Sequence, residues 1–121
     1  MAKRFFMTSW AVVFVLFLSA VTASAETIAF RASWYGPGFH GRRMANGQRF
    51  DMHTLVVAHP SLPFGTCLEI VNPHNSRTVR VIVKDRGPYI HGRNLDVSYR
   101  VAQVLDFVDT GVIELRGRLC T

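Results

Sequence analysis

Cysteine is scarce in this chain, and lysine is nearly as scarce. Cys67 and Cys120 are the only thiols among 121 residues, and neither lies near residue 26, where a bacterial lipid anchor would need one. The five histidines fall at positions 40, 53, 59, 74 and 91, with no H-x-x-x-H pair among them. A zinc site of the usual ligand spacing is therefore not expected, and no metal or other cofactor is assigned. Lys84 is the only lysine beyond Lys3, so positive charge rests almost wholly on arginine.

One long uncharged run is present, from Phe5 to Ala25, behind Lys3 and Arg4. Its 21 residues would just span a bilayer. Thr8, Ser9 and the Thr22-Ala-Ser-Ala25 tail weaken a membrane anchor, and Ala23-Ser-Ala25 suits a signal peptidase. Residues 1–25 are read as a signal peptide cleaved before Glu26, and residues 26–121 as one exported domain with no stable anchor.

Cleavage leaves 121 less 25, or 96 residues, enough for a single small core. Loss of Lys3 and Arg4 lowers the formal charge from +6 to +4. An arginine-rich surface suits anionic or hydroxyl-rich polymers, since guanidinium also stacks on planar and sugar faces. Export argues against nucleic acid as the partner. Two cysteines in an exported domain of this size read as a disulfide, Cys67–Cys120, closing a loop of more than fifty residues.

Alternation of apolar residues predicts a first strand over 27–35, a hairpin pairing 66–71 with 78–84, and a last strand over 111–116. Ser98 is positioned to cap a short helix from Tyr99 to about Phe107, with Val101, Val104, Leu105 and Val108 on one face. Residues 36–47 hold four glycines and no periodic pattern, so a surface loop is expected. Residues 51–59 read as a turn of undefined structure. Short strands, glycine-rich turns and one helix indicate a small barrel or sandwich.

The hairpin's second strand runs into Asp85-Arg-Gly-Pro88, where Gly87-Pro88 stops it. A carboxylate at a strand end is rigidly presented, as catalysis requires. An Asp before a turn also commonly bonds its own backbone, and both readings stay open here. In an extended strand Lys84 and Arg86 point to the face opposite Asp85.

Six segments carry a resemblance: Ala32-Ser-Trp-Tyr-Gly36, Met44-Ala-Asn-Gly-Gln-Arg-Phe-Asp51, Ala58-His59, Leu62-Pro-Phe-Gly-Thr66, Asp85-Arg-Gly-Pro88 and Leu95-Asp-Val-Ser98. In order and spacing they resemble the rare lipoprotein A family, over nearly all of residues 31–118. The resemblance implies a mainly β, six-stranded double-psi β-barrel with one or two short helices. It further implies an exported, periplasmic endolytic transglycosylase acting on peptidoglycan glycan strands, with a preference for strands stripped of stem peptides. The expected product carries 1,6-anhydro ends, and the chain is read as a monomer.

By residue matching, Asp85 is the acid/base and His59 the assisting residue. The family's other carboxylate position is Gln48 in this chain, where Glu is usual. A transglycosylase can tolerate that loss, because one carboxyl can protonate the glycosidic oxygen and then accept the C6 hydroxyl proton. A hydrolase could not, since it needs its second carboxylate for water or for direct attack. Gln48, Trp34, Tyr35 and Arg86 are expected to bind substrate, with Trp34, Tyr35 and Phe39 grouped near the glycine-rich loop. Aromatics in so small a chain also serve as core, and His59 is equally readable as a structural residue. Asp51 and Asp96 are read as loop and helix-start residues. The competing function is a non-catalytic, expansin-like protein that binds or loosens glycan in the same groove.

Overall fold

The computed structural model describes residues 26–121, so the signal peptide read into residues 1–25 lies outside the described residues. Among the described residues six strands are present: β1 Ile28–Trp34, β2 Val56–Ala58, β3 Cys67–Val71, β4 Thr78–Asp85, β5 Leu95–Val97 and β6 Val112–Leu119. They close into one barrel in the order β1-β5-β2-β4-β3-β6, with β6 returning to β1. The β1–β5 and β2–β4 pairs are parallel and the other four antiparallel. A 3-10 turn, Pro37–Phe39, and one α-helix, α1 Tyr99–Leu105, complete the regular structure of the described residues. The mainly β barrel expected from the resemblance is therefore present.

Period-two alternation builds the core. Phe30 and Ala32, Leu68 and Ile70, Val81 and Val83, and Leu115 all face inward and are fully buried. Burial of each large side chain is worth on the order of 1.5–3 kcal/mol. Gly117 continues the inward row of β6, and a Cβ there would stand 2.6 Å from Phe30 Cε2 and 2.8 Å from Ile70 Cδ1. The barrel closes at this point only because no side chain intervenes.

Helix α1 covers one end of the barrel with Val101, Ala102 and Leu105. Ser98 caps it as expected: its Oγ accepts from Val101 N–H at 3.2 Å and donates to the Thr54 carbonyl. The helix ends at a left-handed Asp106, two residues earlier than its apolar spacing suggests, and Phe107 still packs into the core. Cys67 and Cys120 are bonded, joining β3 to the tail beyond β6. Closing a loop of that sequence separation, 53 residues, is worth on the order of 4 kcal/mol at most.

The glycine-rich segment is more ordered than a loop. Met44 N–H donates to the Gln48 carbonyl, and Gly41 and Phe50 exchange bonds across the segment with Phe50 and Arg42 carbonyls, each at 2.7 Å. The result is a small hairpin. Tyr35, Met44, Phe50 and Val56 form a second buried cluster beneath it, with Tyr35 and Phe50 rings 4.2 Å apart. This cluster fastens the hairpin over the end of β4, where the site lies.

Candidate active site around Asp85

A register break aims Asp85. Val57 of β2 pairs with Val83, but the next residue, Ala58, pairs with Asp85, so Lys84 is passed over. Simple alternation would send Asp85 into the barrel behind Val81 and Val83. The bulge instead brings it level with Ala58, whose other neighbour is Asp96 of β5. Asp96 in turn pairs with Ser33 of β1. Ser33, Asp96, Ala58 and Asp85 thus form one row across four strands. Bulges commonly re-aim a side chain in this way beside a functional site, and the alternation expected around Lys84 and Arg86 does not hold.

Asp85 is half-buried and held from two sides. Its Oδ1 accepts from the backbone N–H groups of Ala45 and Arg86, both at 2.8 Å. Asn46 N–H donates to the Lys84 carbonyl at 3.3 Å, tying the hairpin to the same strand end. Among the described residues Oδ2 has no hydrogen-bond partner. Gly87, with φ at +113°, then turns the chain away in a conformation that favours glycine.

His59 meets Asp85 through backbone, its N–H donating to the Asp85 carbonyl at 3.2 Å. Its Nδ1 accepts from Ser61 and Leu62 N–H at 3.1 and 3.0 Å, so the ring proton sits on Nε2. Burial, and after it the charge of Arg86, hold the imidazole below its ordinary range, so it is neutral at pH 7. Arg86 itself is engaged: its guanidinium donates to the Leu62 carbonyl at 2.7 Å and lies over the Phe64 ring at 4.0 Å. It fastens the 59–64 loop beside Asp85.

Gln48 stands exposed in the hairpin, its Oε1 accepting from Asn46 Nδ2 at 3.2 Å. Tyr35 is buried beneath that hairpin, and its hydroxyl has no hydrogen-bond partner. Burial first, then the charges of Asp85 and Asp96, push the phenol above its ordinary range and keep it protonated. Trp34 is elsewhere: its indole N–H donates to the Val108 carbonyl at 3.1 Å and its ring packs on Tyr99. Trp34 and Tyr35 thus present no common platform. Asp51 fixes its loop by accepting from His53 N–H at 2.9 Å, as read from sequence.

Two residues of this region escaped the sequence reading. Asp96 is not a helix-start residue; it lies mid-strand, accepting from Ser33 Oγ at 3.2 Å. Burial, opposed by that bond and by Arg93 and joined by the charge of Asp85, raises its pKa from 3.8 to about 6. A carboxylate between inward-facing Leu95 and Val97 is the signal that could have flagged it. Tyr89, immediately after Pro88, is 80% exposed, and its ring lies over Gly87. Among the described residues no group of His, Cys, Asp and Glu is arranged to hold a metal. No helix of the described residues is long and apolar enough to cross a membrane.

Comparison with known proteins agrees with this geometry. The lytic transglycolase family model, a double-psi β-barrel domain, matches residues 27–116. A probable endolytic peptidoglycan transglycosylase RlpA of Aquifex aeolicus is 51% identical over 88 residues, covering 73% of this chain and 39% of the relative. The endolytic peptidoglycan transglycosylase RlpA of Campylobacter jejuni is 42% identical over 96 residues, covering 79% of this chain and 35% of the relative. The chain thus spans well under half the length of these curated relatives. The barrel also superposes on a Streptomyces papain inhibitor, with TM-score 0.63 at 23% identity over 79% of this chain and 96% of that one. A Clavibacter michiganensis expansin solved with cellohexaose gives TM-score 0.63 at 22% identity, over 79% of this chain and 51% of that one. These two likenesses concern the fold alone. By the family match and the close relatives together, the chain belongs to the RlpA-like lytic transglycolase family.

Proposed function

We propose that this domain cleaves peptidoglycan glycan strands as an endolytic transglycosylase, with Asp85 as acid and base, in the periplasm. The observation that carries the reading is the mounting of Asp85: one carboxyl oxygen is fixed by two backbone N–H groups and the other is unbonded. Protonated Asp85 gives its proton to the glycosidic oxygen as the C1–O bond breaks. The C6 hydroxyl of the same muramic residue then bonds to C1 and returns its proton to Asp85. The products are a free hydroxyl end and a 1,6-anhydro end, and no water is consumed.

The neighbouring groups support this cycle. Asp96, two strands away, has a pKa of about 6 and is a second, partly protonated carboxyl beside the reaction. His59, its ring edge-on to Phe30 at 6.0 Å and its Nδ1 bonded to Ser61 and Leu62 N–H, steadies the 59–64 loop beside Asp85, and exposed Gln48 offers an amide to a sugar hydroxyl. Tyr89 presents an open ring on which a sugar can stack.

Gln48 favours one second reading, an expansin-like protein that binds strands without cutting them. Mass spectrometry of purified, peptide-free strands after incubation separates the two. The enzyme generates 1,6-anhydro ends and Asp85→Asn abolishes them while strand binding persists. Unchanged strands after prolonged incubation with the native protein would leave only the binding reading.

A further inference from the structure

A cavity of about 400 Å³ opens on the outer barrel wall between β1, β6 and the turn at Gly92–Asn94. Arg31, Arg93 and Arg116 line it together with one carboxylate, Glu114, leaving an excess of two positive charges. Among the described residues none of the three guanidiniums makes an ion pair. The second cavity, near Glu69, shares Arg116 with the first but differs in that its other arginine, Arg118, is bonded to Glu69 at 2.7 Å. The floor of the first cavity is rigid, since Asn94 and Arg31 exchange hydrogen bonds at 2.8 and 3.0 Å.

This cavity adjoins the active row. Ser33 lies two residues beyond Arg31 on β1, and its partner Asp96 lies two residues beyond Asn94, which precedes β5. Arg93 is close enough for its charge to act on Asp96. From β1 to β4 the row crosses three strand spacings, roughly 14 Å. A single sugar cannot touch both Asp85 and the arginines, whereas a polymer can.

Resting on the glycan reading above, we propose that the Arg31–Arg93–Arg116 cavity binds the free lactyl carboxylate of a muramic residue in the strand held at Asp85. In a peptide-bearing strand that carboxyl is an uncharged amide with a bulky substituent. Once the peptide is removed it is a planar anion that guanidinium binds through paired N–H···O bonds. The cavity thereby discriminates between bare and substituted strands through a charge that only bare strands carry.

The test compares peptide-free strands with the same strands after their lactyl carboxyls are converted to methyl amides. Binding to the native chain is measured on ice by co-sedimentation. Amidation should weaken binding at least about tenfold, the order expected for losing a charge-assisted bond to arginine. The triple substitution Arg31→Gln, Arg93→Gln, Arg116→Gln should bind both strands as weakly as the native chain binds the amide. Equal native affinity for the two strands overturns the proposal and leaves the glycan reading standing. Failure to bind either strand overturns both. The amide comparison needs no variant, so it decides the matter even if the triple substitution fails to fold.

Discussion

Asp85 and Asp96 flank Ala58 in one row across β4, β2 and β5, although 11 positions separate them in sequence. The pairing depends on the register break that passes over Lys84. Without it Asp85 would enter the barrel, and Asp96 would be an isolated carboxylate on an otherwise apolar strand.

Asp96 should make stability fall as pH rises. Its folded pKa is raised from 3.8 to about 6, mainly by burial, so its contribution is fully present in acid and lost on passing upward through pH 6. Asp96→Asn removes the penalty. Between pH 4 and 7 the native protein should lose on the order of 1–2 kcal/mol relative to this variant, after allowance for remaining solvent exposure. Urea unfolding of both proteins across that range measures it. A pH-independent difference would mean that Asp96 does not titrate there.

Gln48→Glu should raise the rate of 1,6-anhydro formation. It restores a carboxylate on the hairpin that also delivers Ala45 N–H to Asp85. A single positioned acid or base commonly contributes 10²–10⁴-fold, and with Asp85 already present about tenfold is expected. Timed product analysis at saturating strand concentration reads the change directly. An unchanged or lower rate would count against Gln48 facing the substrate.

The longer pieces of this fold were legible and the shorter ones were not. The β3–β4 hairpin alternates over enough residues to declare itself, and Ser98 announces the helix by its chemistry. Strands β2 and β5 are three residues each, too short for any period, yet they make both parallel pairs and bring Ala58 and Asp96 into the row. Asp85 was legible because a strand ran into Gly87-Pro88. Its true direction was not, because a bulge leaves no residue signature when the passed-over residue is an ordinary lysine. Trp34 and Tyr35 are adjacent in sequence but diverge in space, one toward α1 and the other under the hairpin.

Gly117→Ala should cost about 1–3 kcal/mol, the usual penalty for overpacking a filled core. The added methyl would stand 2.6 Å from the Phe30 ring and 2.8 Å from the Ile70 side chain. Both belong to the central core and cannot withdraw without displacing other buried residues. Chemical denaturation with the Cys67–Cys120 bond intact provides the measurement. A variant as stable as the native protein would show that β6 can move outward.

Tyr35→Phe should separate folding from catalysis. The Tyr35 hydroxyl is buried without a partner, so its removal relieves a desolvation cost while the ring keeps its contact with Phe50. Stability should rise by about 1 kcal/mol. Burial and the nearby charges of Asp85 and Asp96 keep the phenol protonated, so a carboxyl brought within reach of it during turnover would receive a hydrogen bond. Anhydro-product formation should therefore fall several-fold as stability increases, a combination that a purely structural tyrosine would not give. Thermal unfolding and product analysis on the same preparation test both halves, and a loss of stability would show that the hydroxyl is bonded in solution.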